Sequence, residues 1–201
     1  MTEAQALKIA LRFLNKEKFL LLVDNTQTSL VTILTGERIK GSWFGHTLGK
    51  IIYNTSNNLG RKNLLALKLV DGKYTYISDD FRDAAYALTA GDSEWQKKKL
   101  TAPAKKLLAE VAKKKVVPVT AKNKSEAALL EKLLLASAEQ EHTPSGKHVK
   151  VLLSWKESAK RLGHKIKKVP LAEAERAWEL RLNEFNRAHQ ANYRLPWQKK
   201  A

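Results

Sequence analysis

Asp71-Gly72 stands between LLALKLV (64–70) and KYTYIS (73–78), two runs of strand-forming residues. Both turn residues tolerate the positive φ of a type I′ turn, so the pairing predicts a β-hairpin more strongly than any other short signal in the chain. What precedes it narrows the fold. Leu7, Ala10, Leu11 and Leu14 recur at helical spacing, and Thr2 with Gln5 forms a capping box, predicting a helix over 3–16. FLLLV (19–23) is too short for an independent helix and reads as a buried strand. Asp24 or Asn25 is then expected to cap a helix through Leu34 that ends at Gly36. A third helix is expected from His46 or Thr47 to Leu59, with Gly60 past its end. Helix, strand, helix, helix, hairpin is the order of a winged helix-turn-helix, so residues 1–80 are expected to form one within a mainly helical α+β protein.

Residues 81–155 run through a similar order and predict a second winged-helix-like domain in tandem. A helix over 100–115 carries Leu107, Leu108 and Val111 on one side, with Pro103 in its first turn. VVPV follows as an edge strand, a helix opens at Ser125 and runs to about Leu134, and 136–155 is expected to fold back at Pro144-Ser145-Gly146. Only one clear helix lies between strand and ribbon, so a short turn in TAKNK must serve as the other. Asp79, Asp80 and Asp83 are expected to cap a helix starting at Phe81. Residues 156–201 read as a C-terminal helical segment. Ser154 and Glu157 form another capping box, Gly163 ends that helix, and Pro170 starts a last helix to His189 with a stripe of Leu171, Ala174, Trp178, Leu182 and Phe185.

Charge bears most directly on function. Lys plus Arg number 37 against 20 acids, a net +17, and residues 91–201 hold 25 bases and 12 acids against 12 and 8 in residues 1–90. Such an excess repels itself and calls for a polyanionic counterpart. The chain has no cysteine, which excludes disulfides, Cys-ligated zinc sites and thiol catalysis. No apolar run reaches the length of a membrane span and no leader pattern opens the chain, so a cytoplasmic, non-membrane protein without a cofactor is expected.

The residue types on the third helix suit a DNA groove. Its apolar side is Leu48, Ile51, Ile52 and Leu59; its other side presents Thr47, Lys50, Asn54 and Asn57, with Arg61 and Lys62 just after. Asn pairs bidentately with an adenine edge, and Lys reaches guanine or phosphate. Lys73 and Lys147 follow the Gly of each ribbon turn and are expected at wing tips. The Lys clusters 97–99, 105–106, 113–115 and 165–168 are candidates for phosphate contact without sequence readout. Gly41 and Gly45 let Trp43 and Phe44 turn inward as core, or leave a Trp to stack on a base. His46 reads as a helix cap, a phosphate contact or, with Glu37, an acid/base group. His142 and His148 flank the second ribbon turn, a weak metal pair without a carboxylate or Cys beside them.

At GERIKGSWFGHTLGKIIYN, LALKLVDGKYTYI and QEHTPSGKHVKVLLSW the chain resembles a bacterial family marked by Gly-Ser-Trp-x-Gly-His, a Gly-Lys hairpin and a His-Thr…Ser-Gly…Trp ribbon. The resemblance covers most of residues 30–160. That family is related to larger winged-helix DNA glycosylases that remove alkylated or cross-linked bases, which implies tandem winged helices and duplex DNA as partner. Thr47 stands where the family often has Pro, and neither Gln-x-Gln nor Gln-x-Asp, the catalytic pairs of those enzymes, occurs. The expectation is a DNA-binding protein linked to DNA repair or transcription. The alternatives are a glycosylase-type enzyme with Trp43 as wedge and His46 or Glu37 in the chemistry, or a protein- or RNA-interaction module without catalysis.

Overall fold

The structure, a computed structural model, describes residues 1–24, 27–142 and 146–198, and of His142 the backbone alone. Asn25, one of the two expected caps, and Thr143, Pro144 and Ser145 of the second ribbon turn lie outside the described residues. The chain is a mainly helical α+β protein with two three-stranded antiparallel sheets. It divides into two units, Met1–Arg82 with Glu175–Ala201, and Asp83–Ala174. The C-terminal helical segment, 156–201, is therefore shared between them. The reason is the last helix: from residue 175 onward its apolar stripe completes the core of the first unit.

In the first unit, α1 (Glu3–Glu17) opens with the Thr2/Gln5 capping box and closes on Lys18 in the left-handed region. Its buried stripe is Ala6, Ala10 and Leu14, while Leu7 and Leu11 are only partly covered. Small side chains at the first two positions let it lie close to α3. β1 (Phe19–Leu21) is buried at every residue. Asp24 does not cap the next helix. Its carboxylate accepts from Gln27 N–H at 3.0 Å and its carbonyl accepts from Ser29 Oγ at 2.7 Å, making a loop. Ser29 is the cap, so α2 spans only Leu30–Thr35. α3 (Gly49–Gly60) begins later than expected, because Trp43–Gly45 forms a 3-10 turn ahead of it.

β2 (Leu65–Leu67) and β3 (Thr75–Ile77) pair antiparallel with β3 central, giving the order β1-β3-β2. Asp71 and Gly72 both take positive φ, at 50° and 66°, as a type I′ turn requires. The ladder nevertheless stops at Leu67 and Thr75. Consecutive Leu69 and Val70 are both fully buried, which an alternating strand cannot do, and Leu69 adopts helical backbone angles instead. The expected long ribbon is thus a short hairpin.

In the second unit, α4 (Arg82–Ala87), which starts in the first, leads to α5 (Glu94–Lys99), α6 (Ala102–Lys114), β4 (Val116–Pro118), α7 (Lys124–Lys132), β5 (Ser137–His142), β6 (His148–Leu153) and α8 (Trp155–Arg161). The expected acidic caps at 79–83 act otherwise: Asp79 pairs with Arg82, Asp80 with Lys18, and Asp83 accepts from Lys167 N–H. The strand order β4-β6-β5 repeats that of the first sheet. Between β4 and α7 stands only a turn at 121–123, closed by Asn123 N–H donating to Thr120 O at 3.2 Å. Buried Gln96 donates to Leu88 O and Leu133 O, and Trp155 Nε1 donates to Leu134 O, so polar groups inside this unit are satisfied by backbone.

α9 (Leu171–His189) brings Trp178, Leu182 and Phe185, all buried, into the first unit. Phe19 packs on Trp178 and Phe185 at ring-centroid distances of 5.9 and 4.6 Å. Tyr193 and Leu195 beyond the helix are buried as well. The tail is an integral part of this unit.

Candidate nucleic-acid interface

The site is built on α3. Ile52, Thr55 and Leu59 bury one side of the helix. Lys50, Asn54, Asn57 and Arg61 follow at spacings of four, three and four residues, which puts them on the opposite stripe. Lys50, Asn57 and Arg61 are exposed, as are Thr47 before the helix and Lys62 after it. Asn54 departs from the expectation. It is half-buried, and its amide donates to Glu3 Oε1 at 2.6 Å in the first turn of α1, so it serves the α1–α3 contact first. Tyr53, beside Lys50 on the open side, is 52% exposed.

The corner ahead of α3 is rigid. Trp43 is partly buried against the first core, and Phe44 stacks on it with ring centroids 4.0 Å apart and planes 21° from parallel. Ser42 Oγ accepts from Phe44 N–H. Gly49 seals the junction: a Cβ there would lie 2.7 Å from Phe44 O and 3.1 Å from Trp43 O. Only glycine permits that approach. The core role expected for at least one of these two aromatics falls to Trp43. Phe44 is 67% exposed.

His46 is a clamp. Its Nδ1 accepts from Leu48 N–H at 3.1 Å, at the start of α3, and its Nε2 lies 3.2 Å from Glu37 Oε1. With Nδ1 accepting, Nε2 carries the hydrogen and donates to Glu37. Both ring nitrogens are thus engaged, and the structure brings together the His46 and Glu37 that the sequence offered as an acid/base pair, with Glu37 largely exposed. A cleft of about 370 Å3 in the first unit is lined by Phe13, Thr28, Glu37, Arg38, His189 and Gln190 among others, and neither Trp43 nor His46 lines it. Among the described residues no group of three or more His, Cys, Asp or Glu could hold a metal ion.

Lys73 directly follows the hairpin turn, but its side chain is engaged within the unit. Its ammonium pairs with the buried carboxylate of Asp24 and lies 5.7 Å over the Tyr193 ring. The hairpin turn itself is held by the tail, with Asp71 N–H donating to Arg194 O and Arg194 N–H to Asp71 Oδ1, at 2.9 and 3.1 Å. Burial and the neighbouring Asp24 charge push the Tyr193 hydroxyl pKa well up, so it stays a donor, to Thr28 O at 3.0 Å. The second ribbon is different: β5 and β6 pair over six residues out to His142 opposite His148, and Lys147 is exposed at that end. Its acids face home, since Arg161 pairs with Glu139 and Glu141.

One charged cluster was not foreseen. Glu17, 3% exposed at its side chain, pairs with Arg181, with Lys16 at 3.2 Å and with His189 at 3.3 Å. Burial by itself would raise the Glu17 carboxyl, but these neighbours outweigh it and hold the group below its ordinary value. No spacing in the sequence joins residues 17 and 181. Comparison of the chain with known protein families, with characterised proteins and with solved structures finds no match.

Proposed function

We propose that this chain is a tandem winged-helix protein that binds double-stranded DNA, with α3 as the helix that enters the major groove. The carrying observation is the exposed Lys50, Asn57 and Arg61 stripe on one side of α3, opposite its buried side. Cationic ends and an amide centre are the donor set that phosphates and base edges take together. The fold reading is supported by the order helix, strand, helix, helix, strand, strand with strand order β1-β3-β2, and by the second unit's sheet in the same order. The hairpin of the first unit is short and bound by the tail, whereas the second unit has a ribbon of its own, β5–β6, paired over six residues.

The test is fluorescence anisotropy with a labelled duplex across a salt series. Affinity is expected to fall steeply with salt, and Lys50→Ala to reduce the slope of log K against log salt by about one. Lys50→Glu with Arg61→Glu should remove most of the binding, while Lys73→Ala, tied to Asp24, should cost stability before affinity. A salt-independent affinity, or a wild-type slope in Lys50→Ala, overturns the reading. Structured RNA as competitor separates duplex DNA from RNA.

A further inference from the structure

Phe44 is the most exposed large apolar side chain among the described residues, at 67%, and it is also held in place. One face of its ring rests on Trp43, which is itself packed against the core, and its backbone is locked to the first turn of α3 by Gly49. The ring stacks on Trp43 and leaves most of its surface to solvent. A rigid aromatic with one open face, ahead of a groove-facing helix, is instead a stacking surface. Arg38, Lys40 and Lys50, all exposed, lie within six residues of it along the chain, in a unit that holds 18 bases against 10 acids, so a polyanion is the partner its charge suits.

We infer that Phe44, backed by Trp43, is a wedge that stacks on an unstacked base of duplex DNA, so that the protein prefers DNA with an unpaired nucleotide over perfect duplex. This rests on the DNA-binding reading above and adds its substrate class. An aromatic face stacks on any base, and the cost of unstacking is least where a partner is missing. The wedge is Phe44; Trp43 is its support.

The experiment uses the full chain and two duplexes of one sequence, one carrying a single bulged 2-aminopurine. Wild type is expected to bind the bulged duplex on the order of tenfold more tightly and to change the 2-aminopurine fluorescence. Phe44→Ala and Phe44→Leu should keep the affinity for perfect duplex within about twofold, lose the preference and lose the fluorescence change, while Phe44→Trp keeps all three. Equal wild-type binding to both duplexes, or a preference retained in Phe44→Ala, overturns the wedge and leaves DNA binding standing. Binding to neither duplex at low salt overturns the DNA reading and the wedge with it. A large fall in melting temperature in Phe44→Leu would make the ring structural, and a wild-type dimer dissolved by Phe44→Ala would make it a self-contact; either result overturns the inference.

Discussion

Gly49 shows how one missing carbon organises the region. Adding a Cβ would drive it against the carbonyl oxygens of residues 44 and 43, and backbone cannot swing aside as a side-chain end does. Gly49→Ala should therefore destabilise the first unit by about 1–3 kcal/mol, as overpacking does. Gly45→Ala, with no heavy atom within 4 Å of its would-be Cβ and no positive φ, is the matched control and should be close to neutral. Thermal melts of the two variants check this; equal losses would mean that the corner is looser than its contacts imply. His46 belongs to the same scale. Its residue type could be read as cap, phosphate ligand or acid, and the choice came from Glu37 and Leu48 N–H, which occupy its two nitrogens.

Among the elements, α9 is the one whose stripe could be read directly. Ala174, Trp178, Leu182 and Phe185 are buried as their spacing predicts. Its polar side carried a feature that no periodicity announces, Arg181 meeting the buried end of α1 at Glu17. The Glu17 carboxyl pKa lies below its unfolded value of about 4.3, so the cluster stabilises the fold above that pH and the contribution is lost as pH falls through the folded value. Melting temperature should thus drop on the acid side in wild type. Glu17→Gln should melt lower at pH 7, with the gap closing as pH falls through and below the ordinary carboxylate range. A constant gap across that range would mean that Glu17 acts through packing rather than charge. The first hairpin carries the opposite lesson: Asp71-Gly72 takes the expected turn angles, yet Leu69 and Val70 follow the core and end the ladder early.

At the scale of the whole molecule, the sequence halves are not the folded units. Residues 91–201 hold most of the excess charge along the chain, but with residues 175–201 placed in the first unit the bases and acids number 18 and 10 there, against 19 and 10 in the second. Each unit is strongly cationic by itself. The same arrangement predicts that residues 1–82 alone do not fold, although they contain the full helix–strand–helix–helix–hairpin order. They lack Trp178, Leu182, Phe185 and Tyr193, which cover Phe19 and its neighbours. Near-ultraviolet circular dichroism of 1–82 should show no fixed aromatic environment, restored by adding a 170–201 peptide. A cooperative melt of 1–82 alone would refute this.

What residue order determines here is local: the capping box of α1, the glycine stops at Gly36 and Gly163, the main apolar positions of α9, and the cationic character, whereas Gly60 lies inside α3 rather than past its end. Each follows from neighbours within a few positions, where helix and strand periods act. Tertiary structure decided the rest, because burial is settled by chain segments far apart. It assigned Lys73 to Asp24 and Asn54 to Glu3, took both nitrogens of His46, and turned Trp43 into the core while leaving Phe44 outside. It also recruited the last helix into the first core, because Trp178 and Phe185 are what cover the buried ring of Phe19.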